Sequence, residues 1–306
     1  MSREDLLKRL NHVQLLATAS KWRRLLENPG KYLYAILHRE LIYPWKKIEV
    51  ETKVETFTGR SMHIFLPSST DIYLTKGKSH HSEIALARYL INNLKDGAHF
   101  MDIGAHYGYF TQLAAELVGE NGKMVAVEAA PKTYRILSKN LEKINNAKAV
   151  HAAISAKQGR ITFYEFPNRF AEYNTIDISQ YQGQKWFKNN PPQKVEVDTK
   201  SIEDITAAYE ITPQIIKIDV EGAEYFVIQG GESYLRLHHP QVIMEYLSEK
   251  RGDTSHQKAS ALLKEMGYQP FALLPSGEHF AIESEQKYLS ENKIDSDNIL
   301  YLHQSI

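Results

Sequence analysis

Charged residues stand where apolar strands should end in three stretches of the chain. In Ile215-Ile216-Lys217-Ile218-Asp219-Val220-Glu221-Gly222-Ala223-Glu224, Lys217, Asp219 and Glu221 interrupt a run that otherwise reads as a buried strand. A core covered on both faces does not tolerate them unless they gather at the carboxyl end of the strand, where open α/β sheets bind ligands. A buried ion-pair network around Lys217 would use the same residues without chemistry. In Phe100-Met101-Asp102-Ile103-Gly104-Ala105-His106-Tyr107-Gly108-Tyr109-Phe110, an apolar strand carries an acid near its end and opens a helix through two glycines. Glycines at such a turn let a ligand approach the backbone. A dinucleotide site would want G-x-G-x-x-G, whereas three residues separate Gly104 from Gly108 and Asp102 stands two before the first. That carboxylate would repel a pyrophosphate and attract an ammonium or a sulfonium, and S-adenosylmethionine carries both. Packing alone could also account for the two glycines.

Twenty residues after Gly108, the strand Met124-Val125-Ala126-Val127 ends in Glu128, whose carboxylate can accept two hydrogen bonds from the vicinal hydroxyls of a ribose. Further on, Ala152-Ala153-Ile154-Ser155 offers a small apolar pair to flank an adenine, a role that ordinary strand-end packing would fill equally well.

Elements capable of holding these residues are legible around them. Residues 98–250 alternate short apolar strands with amphipathic helices, the pattern of a parallel sheet covered on both faces. Strands are expected over 100–103, 124–128, 148–153, 215–220 and 242–246, with helices over 107–118, 131–144, 201–209 and 222–229. Past residue 250, a helix ending at Gly267 and strands over 270–274 and 299–302 close the domain. Ahead of it, a helix is expected over 81–94, and the alternating β-branched and aromatic residues of 47–75 predict two or three short antiparallel strands. Leu6, Leu7, Leu10, Val13, Leu16, Trp22, Leu25 and Leu26 recur near helical spacing, and residues 1–50 hold ten Lys/Arg against five acids. A helix over 4–27 lying on a membrane surface would look like this. Packing on the main domain, or on a second subunit in a homodimer, is the preferred reading. The expected division is therefore a helical and hairpin region at 1–80, acting as a cap or in oligomerisation, and a ligand-binding domain at 81–306.

Taken together, Asp102-Ile-Gly-Ala-His-Tyr-Gly108, Glu128, Ala153-Ile-Ser155, Ile216-Lys-Ile-Asp-Val-Glu-Gly-Ala-Glu224 and Pro240-Gln-Val-Ile-Met-Glu245 resemble the FkbM-type S-adenosylmethionine-dependent methyltransferases. The resemblance runs over residues 80–302, with Asn298-Ile-Leu-Tyr301 matching the last strand. It implies an α/β fold with a doubly wound, seven-stranded, mostly parallel Rossmann-like sheet and a reversed final hairpin. It also implies O-methylation of a sugar, glycan or other small natural product. Position 106, usually Asn in that family, is His here. The expected cofactor residues are Asp102, Gly104, His106, Tyr107, Gly108, Glu128, Ala129, Ala153, Ile154 and Asp219. Asp219 is the first candidate for orienting or deprotonating an acceptor, followed by Glu221, Glu245 and His106. The aromatic residues interleaved through 164–192 are expected to close over the acceptor. No metal is expected. The pairs His80-His81 and His238-His239 are adjacent in sequence, and neighbours on a helix point about 100° apart.

Several function classes are excluded from the outset. The chain has 306 residues and no cysteine, which removes thiol nucleophiles, iron–sulfur clusters and disulfide frameworks. Thirty-seven Lys/Arg balance thirty-seven Asp/Glu, which argues against a broadly basic nucleic-acid binder. The first residues carry acids where a signal peptide needs a basic lead, so a cytoplasmic enzyme is expected. A nicotinamide dehydrogenase fails on its glycine pattern. Two alternatives stay open: methylation of nitrogen or a carboxylate on a peptide or protein, and a methyltransferase-like binding module without activity.

Overall fold

The computed structural model describes residues 1–306 other than 177, 179, 180, 250–253, 305 and 306. The chain opens with α1 (Arg3–Thr18), α2 (Lys21–Glu27), α3 (Pro29–Leu37) and α4 (Tyr43–Lys46), with a π-helical turn at His38–Ile42 joining the last two. The hairpin β1 (Val50–Glu55) and β2 (Ser61–Leu66) follows, then α5 (Thr70–Thr75) and α6 (His81–Asn93). Next come β3 (His99–Ile103), α7 (Tyr109–Val118), β4 (Lys123–Glu128), α8 (Pro131–Leu141) and β5 (Ala147–His151). A second hairpin region holds β6 (Ala153–Ile154), β7 (Gly159–Glu165), α9 (Lys185–Asn189) and β8 (Gln193–Lys200). The remainder is α10 (Ile202–Tyr209), β9 (Ile215–Ile218), α11 (Glu224–Gly230), α12 (Glu232–His238), β10 (Gln241–Leu247), α13 (Ser255–Glu265), β11 (Tyr268–Leu273), β12 (His279–Ala281), α14 (Glu285–Asn292) and β13 (Ser296–His303).

The main sheet runs β12-β11-β13-β10-β9-β3-β4-β5. Strands β5, β4, β3, β9 and β10 are parallel, and β13 inserts antiparallel between β10 and β11. This is the seven-stranded doubly wound sheet expected, with the short β12 added at one edge. Period-two alternation along each buried strand divides its side chains between two cores. Phe100, Met124, Ala126, Ile215, Ile243 and Leu300 pack with residues of α1, α6 and α7 on one face. Met101, Val125, Ile216, Val242, Met244 and Ile299 pack with residues of α10, α11 and α13 on the other. Chain order reverses between β3 and β9, the position where such sheets open a crevice at their carboxyl ends.

Three expectations need correction. Residues 70–75 form a helix, not a strand, because Thr70, Ile72 and Thr75 turn inward and tertiary burial overrides their β-branched composition. The first helix stops at Thr18, and Ser20 starts α2 by accepting a hydrogen bond from the Arg23 N–H. Strand β5 ends at His151, and residues 153–154 leave the main sheet to pair with β8 in a separate three-stranded sheet. The apolar stripe of α1, Leu6, Leu10, Val13 and Leu16, is buried in the protein, so α1 has no free apolar face to lay on a bilayer. Among the described residues, no helix is long and apolar enough to cross a membrane.

Candidate active site

A cavity of about 780 Å³ opens at the carboxyl ends of β3, β4, β9 and β10. Strand register explains its charged lining. Asp102 sits opposite Lys217 on neighbouring strands, and Glu245 sits opposite Asn298. Because side chains alternate, Asp102, Lys217, Asp219, Glu245 and Asn298 all share the face covered by α6. Lys217 is buried there, with Nζ 3.4 Å from Asp102 Oδ1, 3.2 Å from Asp219 Oδ2 and 3.4 Å from the Gly104 carbonyl. The buried ion-pair network that would use these residues without chemistry is thus present, and its Asp219 arm also reaches the cavity.

The loop after β3 is shaped by contact with the loop after β9. Gly104 has φ +73°, and a Cβ there would lie 1.7 Å from the Asp219 carbonyl oxygen. Only glycine fits, for reasons of backbone against backbone. Gly108, with φ +85°, faces Leu137 of α8 instead of the cavity. His106 has φ +51°, a left-handed conformation that Asn and His tolerate better than most residues, so His can stand where the resemblance leads one to expect Asn. Glu221 is also left-handed, and Gly222 after it has positive φ, so the chain turns sharply and brings Glu221 to the cavity wall.

Glu128 is held at the end of β4. Its Oε2 accepts from the His106 N–H and its Oε1 from the Ala130 N–H, each at 2.9 Å. Burial pushes its carboxyl up to about 7 despite those two bonds. Ala129, Ala153 and Ile154 line the cavity beside it, as do Ile161 and Phe163 of β7. This end is mostly apolar around the Glu128 carboxylate and Ser155, which suits a nucleoside.

The other end is polar. Burial, then Asp219, pushes the Glu245 carboxyl up to about 8. Asp219 moves the opposite way: burial would raise it, but Lys217 and Lys78 outweigh burial and hold it below the usual carboxylate range. Burial, reinforced by Lys78, drives His106 down to about 3, leaving its imidazole neutral. Asp219, Glu221 and Glu245 bring one carboxylate oxygen each within 4.8 Å of one another, the donor type that hard cations take.

Of the residues expected from sequence, Gly104, His106, Glu128, Ala129, Ala153, Ile154, Asp219, Glu221 and Glu245 line this one cavity. Asp102, Tyr107 and Gly108 do not. Asp102 lies beneath the floor, taking a 2.7 Å hydrogen bond from Thr111 and pairing with Lys217. Tyr107 is buried in the core against Phe65. Sequence reasoning missed the wall from residues 68–83, where Asp71, Lys78 and Glu83 reach the cavity and Lys78 pairs with Glu83. The polar run Lys78-Ser79-His80-His81-Ser82-Glu83 before an apolar helix was the available signal. His80 also lines the cavity, but no histidine belongs to the carboxylate trio.

Within the aromatic segment, positions 177, 179 and 180 lie outside the described residues. Elsewhere its rings stack chiefly on one another: Trp186 lies on Phe170 at 4.8 Å and on Tyr173 at 5.0 Å. Tyr173, Asn174 and Ile176 reach the cavity, whereas Trp186 does not. Thr175 anchors this stretch by donating to the Glu221 carbonyl at 2.7 Å.

Known proteins share parts of this chain. A protein-L-isoaspartate O-methyltransferase of Caenorhabditis elegans is 33% identical over 103 residues, which cover 32% of this chain and 43% of that protein. The chain thus matches less than half the length of that curated relative. A methyltransferase FkbM crystal structure from Methylobacillus flagellatus KT superposes on 77% of this chain and 53% of its own, with 14% identity and a TM-score of 0.42. An O-methyltransferase from Bacillus cereus in complex with SAH superposes on 72% and 80%, with 14% identity and a TM-score of 0.40. The methyltransferase FkbM domain matches residues 102–270, a span that runs from the acid of β3 through the charged turn after β9 to β11 and exceeds half of the chain. The protein belongs to the FkbM family of S-adenosylmethionine-dependent methyltransferases.

Proposed function

We propose that the protein transfers the methyl group of S-adenosylmethionine to a hydroxyl of a sugar, glycan or small natural product bound in this cavity. Glu128 would take the ribose hydroxyls, Ala153 and Ile154 would flank the adenine, and the Gly104–His106 loop would border the methionine moiety. Asp102 would act through Lys217 and the loop above it, without touching the cofactor. Methyl transfer from a sulfonium is an in-line displacement, so positioning the acceptor oxygen against the methyl carbon supplies up to about 7–11 kcal/mol. A base adds roughly 10²–10⁴-fold when its proton affinity suits the working pH. Glu245, pushed up to about 8, fits that requirement better than Asp219, which its lysine neighbours keep ionised. Asp219 would then align the hydroxyl, and Glu245 would accept its proton.

The observation that carries this reading is the lining of the polar end, where Asp71, Ser79, Glu83, Glu245, Ser296 and Asn298 converge. These are hydrogen-bonding groups suited to a polyhydroxyl compound. The Caenorhabditis elegans relative supports a second reading, a carboxylate on a protein as acceptor. The polar end opposes it, because Lys78, the cation that lines it, is already paired with Glu83 and offers an incoming carboxylate little counter-charge. The test is methyl transfer from labelled S-adenosylmethionine to panels of glycans, small hydroxylated metabolites, amines and an isoaspartyl peptide. Alkali-stable label on hydroxyl compounds is expected. Alkali-labile label on the peptide alone would give the second reading the site, and binding of the cofactor without turnover on any panel would favour a binding module.

A further inference from the structure

The N-terminal helices carry an exposed apolar surface that the methyl-transfer site does not use. From Pro29 to Lys46 the helical path is continuous through the π-turn, and Leu33, Leu37, Leu41 and Trp45 recur every fourth residue along it. All four are exposed, Trp45 by 90%, while Ala35, His38 and Tyr43 on the other side are buried. Beside this ridge, α2 exposes Trp22 by 75% and Leu26 by 80%, again four residues apart. Monomeric soluble proteins seldom leave so many large apolar side chains bare on neighbouring helices. Residues 21–47 also carry Lys21, Arg23, Arg24, Lys31, Arg39, Lys46 and Lys47 against only Glu27 and Glu40. Tryptophan and leucine framed by an excess of cations is the composition that lies at the boundary of an anionic bilayer.

We infer that α2, α3 and α4 form a docking surface for an anionic phospholipid membrane. The surface lies outside the family-matched span and adjoins the acceptor wall. Tyr34 of α3 packs against Tyr73 of α5, and α5 contributes Asp71 and Ile72 to the cavity. Lys47 donates to Asn190 Oδ1 at 3.2 Å, tying the same region to the aromatic segment. Docking here would hold the cavity close to a lipid surface and to acceptors presented on it. A second copy of the chain would also cover an apolar ridge, but two such surfaces would bring their excess cations face to face, whereas an anionic bilayer neutralises them.

Co-sedimentation with vesicles tests this on the whole protein. Wild type should pellet with phosphatidylcholine mixed with phosphatidylglycerol, weakly with phosphatidylcholine alone, and less at high salt. Trp22→Ser with Trp45→Ser should abolish pelleting while S-adenosylmethionine binding, measured by calorimetry, is kept. Lys21→Gln and Lys46→Gln should each weaken it about fivefold, the factor one basic residue near an anionic surface provides. The inference is overturned if the wild type fails to pellet with mixed vesicles. It is also overturned if pelleting ignores lipid charge and both lysine variants, or if light scattering finds a dimer that the double tryptophan variant dissolves while no vesicle binds.

Discussion

Removing the Lys217 ammonium tests whether the floor of the site is a charge network that both holds the fold and sets the reactivity of its acids. Lys217→Met keeps the stem and removes the charge. At an effective dielectric of about 20, a pair at 3.4 Å is worth about 5 kcal/mol before desolvation is counted, and that is the Lys217–Asp102 separation. Burying the lysine offsets much of this gain. Asp219, 27% exposed, is partly screened, so the fully enclosed Asp102 dominates the loss. Breaking a buried pair on one side costs about 3–5 kcal/mol, because the surviving charge has no exit to water. Urea unfolding should show a fall of that size, with the slope unchanged. Adding Asp102→Asn should restore most of it, since a buried pair replaced on both sides is often near neutral. The Asp219 carboxyl, no longer held down by Lys217, should rise, a shift that NMR titration of that carboxyl reads, while the acidic limb of the turnover profile stays with Glu245. A loss under about 1 kcal/mol, or no recovery in the double variant, would refute the argument, since surface pairs are worth that little.

Other outcomes follow from the same geometry. Glu128→Ala should weaken S-adenosylmethionine binding at least roughly tenfold, since two charge-assisted hydrogen bonds of about 1.5–3 kcal/mol each are lost. In wild type the Glu128 carboxyl is pushed up to about 7, and ribose hydroxyls donate more strongly to its ionised form, in which both oxygens accept, than to the neutral acid. Calorimetric affinity should therefore fall as pH drops below about 7, by up to about tenfold per unit, and Glu128→Gln should flatten the curve. Glu245→Gln should lower turnover by roughly 10²-fold or more with cofactor affinity kept; full turnover would remove it as the base. Asp219→Asn should impair acceptor binding and turnover together. Activity should survive a chelator, because Lys217 and Lys78 already balance Asp219; loss restored by magnesium would make Asp219, Glu221 and Glu245 its ligands. Trp186→Ala should destabilise the protein by about 1–2 kcal/mol, since the half-buried ring stacks on its neighbours without sitting in a closed core, while any change in acceptor affinity would be indirect.

Much of this was legible in residue order. Strand-end signals at Asp102, Glu128 and Asp219 rest on local rules: apolar runs, period-two alternation and glycines at turns. These rules carry the sheet, the crossover helices and the cavity's position at the reversal of strand order. Local rules also marked Lys217 as anomalous, since a lone cation in a buried strand must find a partner.

Which partner it finds is a matter of register, and register is set between segments far apart in the chain. Asp102 stands opposite Lys217 because β3 and β9 pair in parallel with that offset, and one step of slippage would send the two side chains to opposite faces. The same fact places Asp102 beneath the floor of the cavity and not in its lining, where its sequence position suggests it would stand. Glycine at 104 is required by the Asp219 carbonyl, an atom more than a hundred residues away, which no local pattern names. Asp71, Lys78 and Glu83 join the site because α6 packs over that face of the sheet, and nothing within residues 68–83 specifies what they will face. Periodicity could show that α1 and the helices after it are amphipathic. Only packing decided that the stripe of α1 is buried while the ridge from Leu33 to Trp45 stays bare, because burial depends on how much apolar surface the rest of the molecule leaves to be covered.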